Sequence, residues 1–355
     1  MTRGHSANRP DRLYDFSDRR SPVSRPIKLA RKCFAALVLL VPMASAGQVV
    51  ESPVTIRVNS SLVLVDVITQ DTKTALPLQG GKKEDFRVFD NDAEMQVESF
   101  DVGARYSTRP ITLWFAVICN EVNWDVNGSG FMRGKTKLLR PALDHLDKND
   151  SVGVAHWCDD QKHSIDFSPS RDLDGALAVL EKQSHGWAKA VGTRKGEIAL
   201  PEMLEAILES THQAKAEALP VIVFLYGDHS GMEREELDRI LADLLQTSCI
   251  VFGINVGGVP LWKDFADNPH SQPNVAHFLS FRTGGQYFSV DPKLFATALD
   301  DILVQVHFRY VLGFRPPAFD GKTHTLRVEL TNAGKTRFPT ARLTYRPAYI
   351  PTAQK

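Results

Sequence analysis

The sequence predicts an α/β protein: a doubly wound, mostly parallel sheet flanked by a β-sandwich built from N- and C-terminal strands. Three observations predict it. Apolar runs at 111–118, 220–226 and 249–256 are near-continuous, as in strands buried on both faces, and helical stretches separate them. Runs before 104 and after 306 alternate apolar and polar with a period of two. Neither end holds enough strands to bury a core alone, so the two ends are expected to combine.

The elements follow in order. Residues 62–69 (LVLVDVIT) read as a first strand and 85–89 (DFRVF) as a second. Residues 96–100 (QVESF) read as the return strand, with Asp90, Asn91 and Asp92 at the hairpin tip. From Pro110 the rhythm changes. After the strand 111–118 comes a helix at 135–146, with Leu138, Leu139, Leu143 and Leu146 on one face. A strand at 151–157 has a short hairpin partner at 164–167, and helices follow at 173–182 and 199–216. The strand 220–226, the helix 233–246 and the strand 249–256 continue the alternation. A helix at 274–283 ends before Gly284-Gly285, where glycine suits a left-handed cap. A strand at 286–290 and a helix at 293–305 complete the α/β part. Strands return at 307–314, 323–330 and 341–345. The expected organisation is a β-sandwich-like domain from 52–107 plus 306–350, with the α/β domain at 108–305 between.

The first 46 residues stand apart. A basic stretch ending in Lys28, Arg31 and Lys32 precedes an apolar run of about ten residues and an Ala44-Ser45-Ala46 end, the pattern of a secretory signal. The run is too short to span a bilayer comfortably. The expected location is therefore extracytoplasmic, secreted or periplasmic, with no stable membrane insertion after the signal is removed. Residues 1–46 hold 9 of the 42 basic and 3 of the 42 acidic residues, so the remainder carries 33 basic against 39 acidic, a net of −6. Such a charge gives no electrostatic case for binding nucleic acid. Export permits disulfides, and three cysteines remain beyond the signal: Cys119, Cys158 and Cys249. All three lie near apolar runs, which suits buried thiols.

The loop after the strand 111–118 (CNEVNWDVNGSG) is rich in oxygen-bearing side chains, and doubly wound sheets bind ligands at the carboxyl ends of their strands. The ordered series around it carries a family likeness: Asp85-Phe86 to Phe89 with Glu98 to Phe100, the strand from Ile111, and Asp150 to Val154. It continues through Gly192-Thr193, Val221 to Leu225, Thr283-Gly284-Gly285 and Tyr310 to Phe314. In order and spacing this resembles the von Willebrand factor A-related proteins of acidobacteria, over about 300 residues.

The resemblance implies a von Willebrand A-type, Rossmann-like domain with a metal-ion-dependent adhesion site at its carboxyl lip. That site takes Asp-x-Ser-x-Ser after the first strand, a threonine from a later loop and an aspartate after the fourth strand. Hard oxygens of this kind hold Mg²⁺ and leave a position for a partner's carboxylate. This chain departs from the pattern in two of the three places. In one register the first motif reads Cys119, Asn120, Glu121, Val122, Asn123, with cysteine where aspartate is expected. In the other it reads Asp125, Val126, Asn127, Gly128, Ser129, which restores the chemistry at the end of a longer loop. Thr193 matches, and Asp228 falls one residue late. The implied site is degenerate, with Asn120, Glu121, Asn123, Thr193 and Asp228 as partner contacts or residual ligands and a divalent cation as an open expectation. The same fold makes the strands ending at Cys119 and Cys158 parallel neighbours, which places a Cys119–Cys158 disulfide within reach.

Other constellations are weaker. His156, Cys158 and His163 lack a second ligand pair at zinc spacing, so packing is the expected role. Cys119 with His229 lacks a nucleophile elbow or oxyanion loop. The sequence therefore points to an exported, non-enzymatic protein that binds a protein partner through its loop rim. The alternatives are a structural envelope protein without a discrete site and, further off, a secreted thiol- or metal-dependent enzyme. The binding role rests on analogy of fold, which does not fix function.

Overall fold

The computed structural model describes residues 62–102, 109–118, 136–157, 163–190, 200–214, 218–226, 234–256 and 275–351. All of them belong to one compact unit, Val58–Lys355. The signal segment 1–46 lies outside the described residues.

The chain enters through β1 (Val63–Asp71), β2 (Phe86–Asp90), β3 (Ala93–Met95) and β4 (Val97–Val102). Asn91 and Asp92, at φ 45° and 68°, form the β2–β3 turn, a left-handed geometry that Asn and Asp tolerate better than most residues. The strand expected at 96–100 forms as β4, but it is not the return partner of β2. Only β3 pairs with β2, and beyond Gln96 the chain changes sheet, so that β4 pairs with β11 (Tyr310–Phe314).

The α/β layer follows with β5 (Ile111–Ile118), α1 (Thr136–Leu143), β6 (Ser151–Trp157), β7 (His163–Ser170) and α2 (Leu173–Ala190). It continues through α3 (Leu200–Ala214), β8 (Leu219–Tyr226), α4 (Arg234–Gln246) and β9 (Ile250–Val256). The last parts are α5 (Val275–Thr283), β10 (Tyr287–Val290) and α6 (Phe295–His307). The strands form one six-stranded sheet in the order β10-β9-β8-β5-β6-β7. Every neighbouring pair is parallel except β6–β7.

Alternation along β5 shows why both faces are covered. Ile111, Leu113, Phe115 and Val117 pack with α1, α2 and α6, whereas Trp114 and Ala116 pack with α3, α4 and α5. This is a doubly wound, Rossmann-like sheet. On α1 the buried apolar residues among those described are Leu139, Ala142 and Leu143. Leu138, expected on the same face, is 58% exposed, because one helical step rotates it by about 100° from Leu139.

After α6 come β11, β12 (His324–Leu330), α7 (Asn332–Arg337), β13 (Ala341–Thr344) and β14 (Ala348–Tyr349). Strands from both ends of the chain make two four-stranded sheets, β13-β1-β11-β4 and β14-β12-β2-β3. Val65, Val67, Phe86, Val88, Tyr310, Leu312, Leu326 and Val328 share one core between them. The expected strand at 307–314 starts late, at Tyr310. His307 ends α6 with its ring Nδ1 on Leu303 O at 2.8 Å, and Arg309 Nη1 donates to Val306 O at 2.5 Å, so both residues cap the helix.

Candidate functional site

Four consecutive parallel pairs fix the geometry of the sheet's two ends. The carboxyl ends of β5, β6, β8, β9 and β10 lie along one lip, with Ile118 opposite Trp157 and Tyr226 opposite Asn255 in the ladders. The strand order reverses between β5 and β8: the chain steps outward from β5 to β6 and β7, then returns to the other side of β5 for β8. A crevice outside such a switch point is where open α/β sheets bind ligands.

Helix α3 brings its amino end to the same lip. Trp114 Nε1 donates to Thr211 Oγ1 at 2.7 Å, which fixes the carboxyl end of α3 beside the lower half of β5. At a rise of about 1.5 Å per residue, Leu200 stands about 16 Å above Thr211, near the level of Ile118.

The sequence-predicted residues Asn120, Glu121, Asn123, Asp125, Asn127, Ser129, Thr193 and Asp228 lie outside the described residues, as do Cys119 and Cys158. The described residues that flank them are Ile118, Leu200 and Tyr226, all at this one lip. For the cysteine pair, the preceding residues Ile118 and Trp157 are direct partners in the β5–β6 ladder.

The described lip adds one residue that sequence reasoning missed. Asn255, one position before the end of β9, is 1% exposed, and its Oδ1 has no hydrogen-bond partner among the described residues. A buried amide oxygen left in this way costs about 1–3 kcal/mol. The available signal was an asparagine closing an otherwise apolar strand.

At the opposite end of the sheet, Asp147, Asp150 and His307 form a metal-like cluster, but the Asp150 and His307 side chains are already engaged. Asp150 Oδ1 accepts from Ile111 N at 2.8 Å, and Oδ2 accepts from Asp147 N at 2.7 Å and meets His307 Nε2 at 2.9 Å. Both His307 ring nitrogens face acceptors, Leu303 O and Asp150. Burial raises the Asp150 carboxyl, but the bonds from His307, Ile111 and Asp147 outweigh it and hold its pKa below the ordinary range. The cluster ties the start of β6 to the end of α6. His156, set aside as a zinc ligand, pairs through Nδ1 with Asp166 Oδ2 at 2.6 Å across β6 and β7. Cys249 is a free, buried thiol whose pKa burial drives upward.

No protein-family model matches the chain. No curated protein matches it either. Solved structures similar to it include a von Willebrand factor type A protein from Catenulispora acidiphila, at 9% identity over 74% of this chain and 75% of that one, with a TM-score of 0.41. An aerotolerance-related membrane protein from Bacteroides fragilis is 14% identical over 54% of this chain and 98% of its own, with a TM-score of 0.37. Proximal thread matrix protein 1 from the mussel byssus, solved with a zinc-occupied MIDAS motif, is 13% identical over 61% of this chain and 48% of its own, with a TM-score of 0.38. Likeness of this degree carries no argument by itself. The class, a doubly wound Rossmann-like α/β protein, is defined by strand order and direction. No helix among the described residues is long and apolar enough to cross a membrane.

Proposed function

We propose that this chain is an exported, non-enzymatic binding protein that engages a protein partner at the carboxyl lip of its six-stranded sheet. The observation that carries the reading is the switch point between β5 and β8, from whose carboxyl ends the segments holding Asn120 and Asp228 depart. Asn120, Glu121, Asn123, Thr193 and Asp228 are the proposed polar contacts, and Asn255 Oδ1 joins them as an acceptor from the described lip. The proposed site is a degenerate form of the metal-ion-dependent adhesion site. A divalent cation such as Mg²⁺ would supply a Lewis-acidic anchor for a partner carboxylate. It takes hard oxygen ligands, and the Asn255 amide oxygen is of that type.

The test is a pull-down from the native envelope with the full exported chain, repeated with Thr193→Ala/Asp228→Ala and repeated with chelator. The expected result is a partner captured by the natural sequence and lost with the double variant. Equal capture by both proteins would sink the reading. Loss of capture on chelation would place a cation in the site, whereas indifference to chelator would leave a metal-free contact surface.

A further inference from the structure

A cleft stands where the α5–β10 corner of the α/β layer meets the outer strand of the sandwich, and it holds a cavity of about 470 Å³. That volume lies within the usual range for small-molecule sites, which favour the junction of two packed parts. One wall is α5 and β10, with His277, Phe281 and Tyr287. The other is β13, with Arg342.

Both walls are held in place. In the β13–β1 ladder Arg342 stands opposite Gln70, so the two side chains share a face. Gln70 Oε1 accepts from Gln286 Nε2 at 2.6 Å, which joins that face to the chain entering β10. The turn at Gly284 lies against the chain after β13, where a Cβ would come within 2.6 Å of Arg346 N. The Tyr287 ring rests on Gly253, where a Cβ would come within 2.6 Å of it, and it meets the His277 ring edge-on with centroids 5.5 Å apart. These contacts set the shape of the cavity before a ligand arrives, which lowers the cost of binding.

The chemistry of the two walls differs. The α5–β10 wall is aromatic, and Phe281 at its edge is 68% exposed. The β13 wall carries the charge. No aspartate or glutamate lines the cavity among the described residues. The covered part of the His277 ring lowers its pKa, so the imidazole is neutral at pH 7. Arg342 is exposed, and its guanidinium makes no hydrogen bond or ion pair among the described residues. Its donors are therefore open to a ligand, and no neighbouring carboxylate in the cavity competes for them.

We infer that this cleft binds a small aromatic carboxylate, its ring against Phe281 and Tyr287 and its carboxylate on the Arg342 guanidinium. The arginine fork matches a carboxylate by shape and charge, and paired aromatic rings gain more than their buried area alone supplies. None of these residues belongs to the proposed lip, so the two readings stand or fall separately.

Calorimetric titration of the full chain with 3-phenylpropionate, 3-phenylpropionamide and 3-cyclohexylpropionate tests it. 3-Phenylpropionate should bind saturably at one site per chain. The amide, which lacks the charge, should bind about tenfold more weakly or worse. The cyclohexyl acid, which lacks the π face, should bind about two- to tenfold more weakly. Arg342→Gln should weaken 3-phenylpropionate about tenfold, and Phe281→Ala about two- to tenfold. Both side chains are exposed and Arg342 has no bond to lose, so the fold is kept in either variant. Equal affinity for acid and amide would show apolar partition and overturn the inference. Equal affinity for the cyclohexyl acid, no saturable binding, or an affinity unchanged in either variant would each overturn it too.

Discussion

Asp66 is the residue on which the buried charges of this protein turn. It sits on β1, with Arg309 Nε 2.6 Å from Oδ1 and Arg109 Nη1 3.5 Å from Oδ2. Burial raises its pKa, but the fields of Arg309, Arg109 and Arg346 and the Arg309 hydrogen bond outweigh burial and lower it. Removing this carboxylate takes from the fully buried Arg309 the acceptor of its Nε–H and weakens the field that Arg109 and Arg346 share. Asp66→Asn should therefore cost about 3–5 kcal/mol, read as a lower urea midpoint at pH 7. A change below about 1 kcal/mol would show the arginines to be solvated. The same residue sets an acid limit. A carboxylate whose folded pKa is depressed stabilises fully above its unfolded value of about 4, and that contribution is lost as pH falls through the folded value. Asp150, also lowered, acts in the same direction. The urea midpoint should fall below pH 4, and Asp66→Asn should flatten the decline. An unchanged slope in the variant would assign the acid sensitivity elsewhere.

At the scale of elements, the junction from α5 to β10 has the least room. Thr283 Oγ1 accepts from Val251 N at 2.9 Å and donates to Leu279 O at 2.8 Å, so the end of α5 is tied to β9. Gly284 follows at φ +86°, and a Cβ on Gly285 would lie 1.8 Å from the carbonyl oxygen of Val251. That oxygen belongs to a central strand and has nowhere to move. Gly285→Ala should cost about 3 kcal/mol or more, measured by urea unfolding, whereas Gly321→Ala on an open turn should cost clearly less. Equal losses would refute the steric account. This cap was legible in the sequence because a glycine pair after an apolar helix has a single common use. Strands β5, β6, β8 and β9 were legible for a similar reason: strands covered on both faces need apolar side chains throughout. The α6–β11 boundary was not. The sequence HFRYVLGF reads as a strand, and only Asp150 and Asp66, both more than 150 residues away, turn His307 and Arg309 into the end of a helix. Arg346 was hidden likewise. It lies in a polar stretch near the end of the chain, and its burial depends on Leu64 and Leu245. Asn255 showed only as a polar residue in a buried strand, since which buried amide lacks a partner is a property of packing.

At the scale of the whole molecule, the question is whether the sandwich and the α/β layer unfold together. Two halves do so when the free energy of their interface exceeds the difference between their own stabilities. Here the interface consists of buried polar bonds as well as apolar contact. Arg346 joins β1 to the end of α4, Asp66 of β1 holds Arg309 at the end of α6, and Gln286 Nε2 donates to Gln70 Oε1 at 2.6 Å. Only Phe308 and Arg309 separate α6 from β11, so this connection has no slack. Breaking the interface gives up these bonds and the apolar contact together, and neither half replaces them alone. The chain offers a direct probe, because all 5 tryptophans fall between Trp114 and Trp262 and none in the sandwich strands. Tryptophan emission thus follows the α/β part, while far-ultraviolet circular dichroism follows both. In urea the two midpoints should coincide in the natural protein. They should separate in Arg346→Met, where the bonds from β1 to α4 are gone. Two resolved dichroism steps in the natural protein, with emission changing in only one, would show that the sandwich and the α/β layer are energetically independent.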